Sequence, residues 1–92
     1  MTAAGPYEVD WAPSALRALA RIPEKVATAV VEFVYGALAD NPQRSGHPLR
    51  FELEGKHSAN RGDYRVIYEI DADSNVATII ALDHRSDIYR RR

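Results

Sequence analysis

Ninety-two residues with no cysteine, 46% hydrophobic and 27% charged, are ordinary for a soluble fold that must hold itself together by packing, since neither a disulfide nor a thiolate metal site is open to it. A chain of this size buries only roughly 60–65% of its unfolded surface, and its composition argues against disorder. The formal net charge of −1 does not announce a nucleic-acid binder.

Residues 1–6 lack a basic region and an apolar core, so no signal peptide is expected. Tyr7, Val9 and Trp11 alternate with Glu8 and Asp10, the period-2 pattern of a half-buried strand. Pro13 suits the first turn of a helix, along which Leu16, Leu19 and Ala20 are expected to share the apolar face. Pro23 stops that helix and starts a second, with Glu24 well placed at its N-terminus. Val26, Val30, Phe33 and Ala37 then fall at helical spacing, widened by Val31, Val34 and Leu38, and Asp40-Asn41-Pro42 ends the helix. This apolar stretch carries Glu32 and is too short to cross a bilayer, so no membrane partner is expected. The absence of cysteine suits a reducing cytoplasm.

Residues 42–51 read as a loop, and a weak strand interrupted by Gly55 is expected around residues 51–58. Two β-branched runs, 64–70 and 76–82, flank Asp71-Ala72-Asp73-Ser74-Asn75 and predict a hairpin. The order β-α-α-β-β-β implies an α+β fold, one domain over residues 1–92. Its largely antiparallel sheet would carry both helices on one face. If the hairpin loop centres on Asp73, Tyr64 faces Leu82, Val66 faces Ile80, Tyr68 faces Thr78 and Ile70 faces Val76, all on the core side. The opposite face would then carry Arg61, Arg65 and Arg85.

Charge is unevenly spread. Residues 1–43 hold three cations and five anions, whereas residues 44–92 hold nine and eight. Ten of the twelve cations are arginine, whose planar fork suits phosphate. No glycine-rich loop precedes a helix, which removes the common nucleotide fingerprints. His47, His57 and His84 lack metal-ligand spacing, and Ser86 beside His84 makes no triad, so neither metal nor cofactor is expected. Arginine, histidine and tyrosine together do suit phosphodiester chemistry. Arg61, Arg65 and Arg85 can stabilise a charged phosphorane. His84 can exchange protons near neutrality, and Tyr89 can do so if guanidiniums favour its phenolate. Bland roles stand beside these: Arg65 paired with Glu69 or Asp63, His84 satisfied by backbone, Tyr89 packed as an anchor. Lys56 and His57 are weaker candidates on a poorly defined strand, and Tyr64 and Tyr68 read as core.

The strand Gly62-Asp63-Tyr64-Arg65-Val66-Ile67-Tyr68-Glu69-Ile70-Asp71 and the closing Asp83-His84-Arg85-Ser86-Asp87-Ile88-Tyr89-Arg90 resemble the RelE/ParE superfamily of bacterial toxins, in its RelE branch. Ala15-Leu16-Arg17-Ala18-Leu19, Ile22-Pro23, Asn41-Pro42, Gly46-His47-Pro48-Leu49 and Leu53-Glu54-Gly55 add to the likeness, which runs from about Tyr7 to Arg90. The resemblance implies the toxin of a type II toxin–antitoxin system: a metal-independent endoribonuclease that cuts mRNA in the ribosomal A site. Its partners would be a cognate antitoxin, in a hetero-oligomer, and the ribosome with its mRNA. It assigns Arg65 and Arg85 to charge stabilisation, His84 or Tyr89 to proton transfer, and Arg61, Lys56 and His57 to RNA. The lysine pair that serves as base in the best-known members is reduced here to Lys56 followed by His57. Two other readings stay open: a ParE-like toxin that binds gyrase without catalysis, and a degenerate member that only binds antitoxin.

Overall fold

A computed structural model describes residues 6–49 and 55–84. Strand β1 (Glu8–Trp11) leads into helices α1 (Pro13–Arg21) and α2 (Glu24–Phe33), and α2 widens into a π-helical turn over Val34–Leu38. A single-turn helix α3 (Pro42–Ser45) and a two-residue strand β2 (His47–Pro48) fall within the stretch expected as loop. Three longer strands follow: β3 (Lys56–Arg61), β4 (Tyr64–Asp71) and β5 (Val76–His84). The sheet order is β1-β5-β4-β3-β2. β1 lies parallel to β5 and the other pairings are antiparallel. The architecture is the α+β arrangement that the sequence implies, with β1 and β2 as its edges.

Helical residues Ala15, Val30, Val34 and Leu38 meet Ala59, Val66, Tyr68, Ala77, Ile79 and Leu82 of the sheet in one core. Burying a large apolar side chain of this kind contributes roughly 1.5–3 kcal/mol. The inward stripes differ from the expected ones at two places. On α1 the packed residues are Ala15, Ala18, Leu19 and Ile22, leaving Leu16 50% exposed. On α2 the stripe passes from Val30 and Val34 to Leu38 and Ala39, and Ala37 faces outward. The π-helical turn supplies the reason, because it inserts the equivalent of one residue and advances the apolar phase by that much. Its outward Tyr35 accepts a hydrogen bond from Trp11 Nε1 at 2.9 Å, tying the helix to β1.

The β4–β5 register also differs. Its loop holds four residues, 72–75, with Asp71↔Val76 as the closing pair. Asp71 Oδ1 accepts from the Asp73 and Ser74 amides at 3.1 and 3.2 Å, and Asn75 takes the left-handed conformation at φ 62°. Hydrogen bonds from Ser74, its hydroxyl foremost, hold the Asp71 carboxyl below its ordinary value. A loop of even length shifts the pairing by one residue from a register centred on Asp73. A second shift comes between Ile67 and Tyr68, where Ile67 pairs with Ala81 but Tyr68 pairs with Ile79. Ile80 is therefore an extra residue on β5, a β-bulge. The Ser14 hydroxyl donates to the Ile80 carbonyl at 3.0 Å, and the Ala12 amide donates to Ile79 O at 2.8 Å. The start of α1 thus satisfies backbone groups at the irregularity.

Tyr68 is fully buried, and its hydroxyl donates to the Pro42 carbonyl at 2.7 Å, pinning α3 to the sheet. Gly46 lies against the same point: a Cβ there would sit 2.5 Å from Ser58 O and 2.8 Å from the Tyr68 hydroxyl. Gly46→Ala should therefore destabilise the protein by about 1–3 kcal/mol through overpacking against backbone, whereas Gly36→Ala, with nothing within 4 Å of its Cβ, should not. Urea unfolding midpoints of the two variants test this, and equal midpoints would refute the close contact.

Candidate functional site

Strand alternation and the observed register sort the charged side chains between two faces of the sheet. Arg65 lies directly opposite Asn60 on β3 and Asp83 on β5, on the face away from the helices. Farther along that face Lys56 pairs with Glu69, Nζ to Oε2, at 3.0 Å. Lys56 lies four residue steps along β3 from Asn60, so it stands about 13 Å from the Arg65 rung. No carboxylate among the described residues lies within ion-pair distance of Arg65, and its buried Nε meets no hydrogen-bond partner among them. The bland pairing of Arg65 with Glu69 or Asp63 is thus not made. Glu69 is taken by Lys56.

The helix-side face carries a different group. Arg61 closes the β3–β4 hairpin opposite Tyr64, across a two-residue turn with Gly62 at φ 62°. A glycine of positive φ at the first turn position is the pattern of a tight II′ hairpin. Such a turn puts Arg61 on the same side as Tyr64, so Arg61 does not join Arg65 in one patch. Its guanidinium carbon lies 5.7 Å from the ring centroid of Phe33 on α2. His84 pairs with Tyr64, their rings meeting edge-on at 5.0 Å. It therefore faces the helices, on the opposite side of the sheet from Arg65. His57 stacks on buried Tyr68 at 5.5 Å, with its Nδ1 buried and unpartnered. Burial lowers the His57 pKa and pushes the Tyr68 phenol up to about 12.

Of the residues singled out from sequence, Lys56 and Arg65 share the outer face, while Arg61, His57 and His84 lie toward the helices. Arg85 and Tyr89 lie outside the described residues. Asn60, which flanks Arg65, escaped the sequence reading; it could have been found by pairing residues across a two-residue turn at Gly62-Asp63. Asp83 keeps the outward face that a register centred on Asp73 gives it, but the loop and the bulge move it along β4 to stand opposite Arg65 rather than Asp63. Chemically, the outer face offers a guanidinium with no ion-pair partner among the described residues, flanked by the Asn60 amide and the exposed Asp83 carboxylate.

A family model described as the ParE toxin of the type II toxin–antitoxin system parDE matches residues 9–89. Toxin RelE of Mycobacterium tuberculosis is 54% identical over 85 residues, covering 92% of this chain and 88% of that one. Toxin RelG of the same organism is 48% identical over 86 residues, covering 94% and 99%. The crystal structure of the toxin–antitoxin complex RelBE2 from M. tuberculosis contains a chain that superposes with a TM-score of 0.85 at 44% identity, covering 90% of this chain and 95% of that chain.

The stacked His57 makes stability sensitive to pH. Its pKa is depressed in the folded state, so the unfolded chain, titrating near 6.5, takes up the proton first. The stability gained by keeping this ring neutral is complete above about pH 6.5 and is lost as pH falls through the folded pKa. The melting temperature should drop between pH 7 and 5, and His57→Gln should flatten that slope. Parallel curves for parent and variant would show that His57 does not contribute to it.

Proposed function

The chain belongs to the RelE/ParE superfamily of type II toxins, and on that premise we propose that it is a ribosome-dependent endoribonuclease that cleaves mRNA in the A site and thereby arrests translation. The observation that carries this reading is Arg65, a guanidinium on the open face of the sheet with no carboxylate partner among the described residues. A surface that only held an antitoxin would have no need of a cation preorganised by strands on both sides. In the reaction the 2′-hydroxyl attacks the adjacent phosphorus, forming one P–O bond. The bond to the 5′-oxygen breaks, leaving a 2′,3′-cyclic phosphate and a 5′-hydroxyl. The 2′-hydroxyl loses a proton and the 5′-oxygen gains one, so no water or metal enters the balance.

Arg65 would stabilise the charge that builds on the phosphorane oxygens. Lys56, about 13 Å along the face, would hold a neighbouring phosphate by exchanging Glu69 for it. Arg85 and Tyr89 retain the roles that the resemblance implies, a second cation and a proton-transfer group. His84 is dropped from proton transfer, because its side chain meets Tyr64 on the helix side. Ribosome and mRNA are the proposed targets, the cytoplasm the proposed location, and a cognate antitoxin the partner.

Expression without that partner should shorten transcripts within reading frames, and primer extension should show cuts that vanish when translation is blocked. Arg65→Ala should slow single-turnover cleavage on programmed ribosomes by about 10²–10³-fold, the scale of a lost preorganised donor, with stability changed by less than about 0.5 kcal/mol. Full cleavage by that variant would sink the assignment. Intact transcripts with altered DNA supercoiling would favour gyrase as the target.

A further inference from the structure

The cleavage proposed above moves two protons, one off the 2′-hydroxyl and one onto the 5′-oxygen, and Tyr89 can serve only one of these transfers. With His84 on the helix side, the other needs a titratable group on the outer face near Arg65. Glu69 and Asp71 lie four and six residues farther along β4. The first is taken by Lys56, and the second accepts from the amides of its own loop. Asp63, at the hairpin tip, borders a cleft on the helix side, between the hairpin and the start of α2. Among the described residues of these strands, Asp83 remains. It stands on β5 directly opposite Arg65, which is in turn opposite Asn60 on β3. The Cβ atoms of such partners lie about 4.5–5.5 Å apart, so carboxylate, guanidinium and amide form one row across three strands. Opposite charges so placed ordinarily attract into a pair, yet Arg65 and Asp83 are not within ion-pair distance of each other. Nor does Asp83 pair with Arg21 of α1, which borders a small cavity with it.

We infer that Asp83 is the general base of the cleavage, taking the 2′-hydroxyl proton while Arg65 holds the adjacent phosphate. The inference rests on the endoribonuclease reading and adds to it the group that receives the first proton. The 2′-oxygen and the phosphate it attacks sit on neighbouring carbons of one ribose, so two side chains one strand apart reach both. The 2′-hydroxyl O–H bond breaks toward a carboxylate oxygen of Asp83 as the bond from the 2′-oxygen to phosphorus forms. The bond to the 5′-oxygen breaks, and that oxygen takes its proton from Tyr89. Asp83 then gives its proton to solvent and is a carboxylate again. A negative charge here works against binding the phosphate in the ground state. Only a role in proton transfer turns that cost into rate.

The test measures single-turnover cleavage on programmed ribosomes by the full-length parent, Asp83→Asn and Asp83→Glu. Each is given a normal mRNA and one whose scissile 5′-oxygen is replaced by sulfur. A 5′-thiolate leaves without a proton, so the sulfur substrate relieves a missing acid and not a missing base. Asp83→Asn should cleave both substrates about 10²–10⁴-fold more slowly, with its half-saturating concentration unchanged or lower. Asp83→Glu, which keeps a carboxylate, should recover part of the loss. Asp83 is exposed, so both variants should melt with the parent. A lower melting temperature with the loss shared equally by Asp83→Glu would make the residue structural and overturn the inference. Slow cleavage of the oxygen substrate with parent-like cleavage of the sulfur one would move Asp83 to the leaving group and overturn the base. A parent-like or faster rate for Asp83→Asn would also overturn it, while leaving the endoribonuclease reading intact. A parent that leaves ribosome-bound mRNA whole would overturn both.

Discussion

One inserted residue, Ile80, decides which side of the sheet the functional end of β5 presents. With it, Leu82 and His84 follow Ala77 and Ile79 onto the helix side, and Asp83 stands beside Arg65 on the outer face. Without it, the parity of the last residues would invert. Asp83 would then be turned toward the core beside Leu19 and Ile22, and His84 would join Arg65. The bulge is not left to itself. Its carbonyl is taken by the Ser14 hydroxyl, while the neighbouring Ile79 carbonyl is taken by the Ala12 amide. The two contacts lock the start of α1 to the strand whose register they preserve, so helix placement and site geometry rest on the same few hydrogen bonds.

That dependence explains how much could be read from sequence. The α+β order, both helices and the β4–β5 hairpin follow from periodicity and turn residues. So does the burial of Val66 and Tyr68. Register did not follow, because two one-residue features act in succession. The four-residue loop after Asp71 moves every partner by one, and Ile80 moves the distal ones by one more. The two shifts restore parity beyond the bulge, which is why Leu82 and His84 occupy the expected face while Ala77 and Ile79, rather than Val76 and Thr78, fill the core near the loop. Arg61 was misplaced for a simpler reason. Alternation along β4 does not run through a two-residue turn, and residues on either side of such a turn face the same way. The outward Ala37 has the same character: a single π-helical turn leaves no mark in an apolar pattern already crowded with Val31, Val34 and Leu38.

The sheet separates two chemistries that sequence alone merges into one cationic cluster. On the outer face Lys56 pairs with Glu69, whereas Arg65, between Asn60 and Asp83, has no ion-pair partner among the described residues. An exposed pair such as Lys56–Glu69 contributes about 0–1 kcal/mol, little enough that a phosphate can replace the carboxylate. Among the described residues Arg65 has no such partner to surrender. Its Nε is already out of water, so the desolvation that binding would demand is partly met by folding. A ligand oxygen would there satisfy a donor that the described protein groups leave open.

On the helix side the same residue types do structural work or face the cleft. His57 lies against the ring of Tyr68, and Tyr68 reaches Pro42 through its hydroxyl, so the segment that carries α3 and β2 is held by one buried phenol and the glycine that makes room for it. Burial there lowers the His57 pKa, and its ring lies on the opposite side of the sheet from Arg65. Arg61 and Lys25 flank a cleft lined by Val26, Ala29 and Tyr64, whereas Arg65 stands on an open strand surface between Asn60 and Asp83. The sheet thus keeps its cations in two environments, one on each face. A two-residue turn at Gly62-Asp63 puts Arg61 and Tyr64 on the side of the helices, while alternation along β4 puts Arg65 on the other.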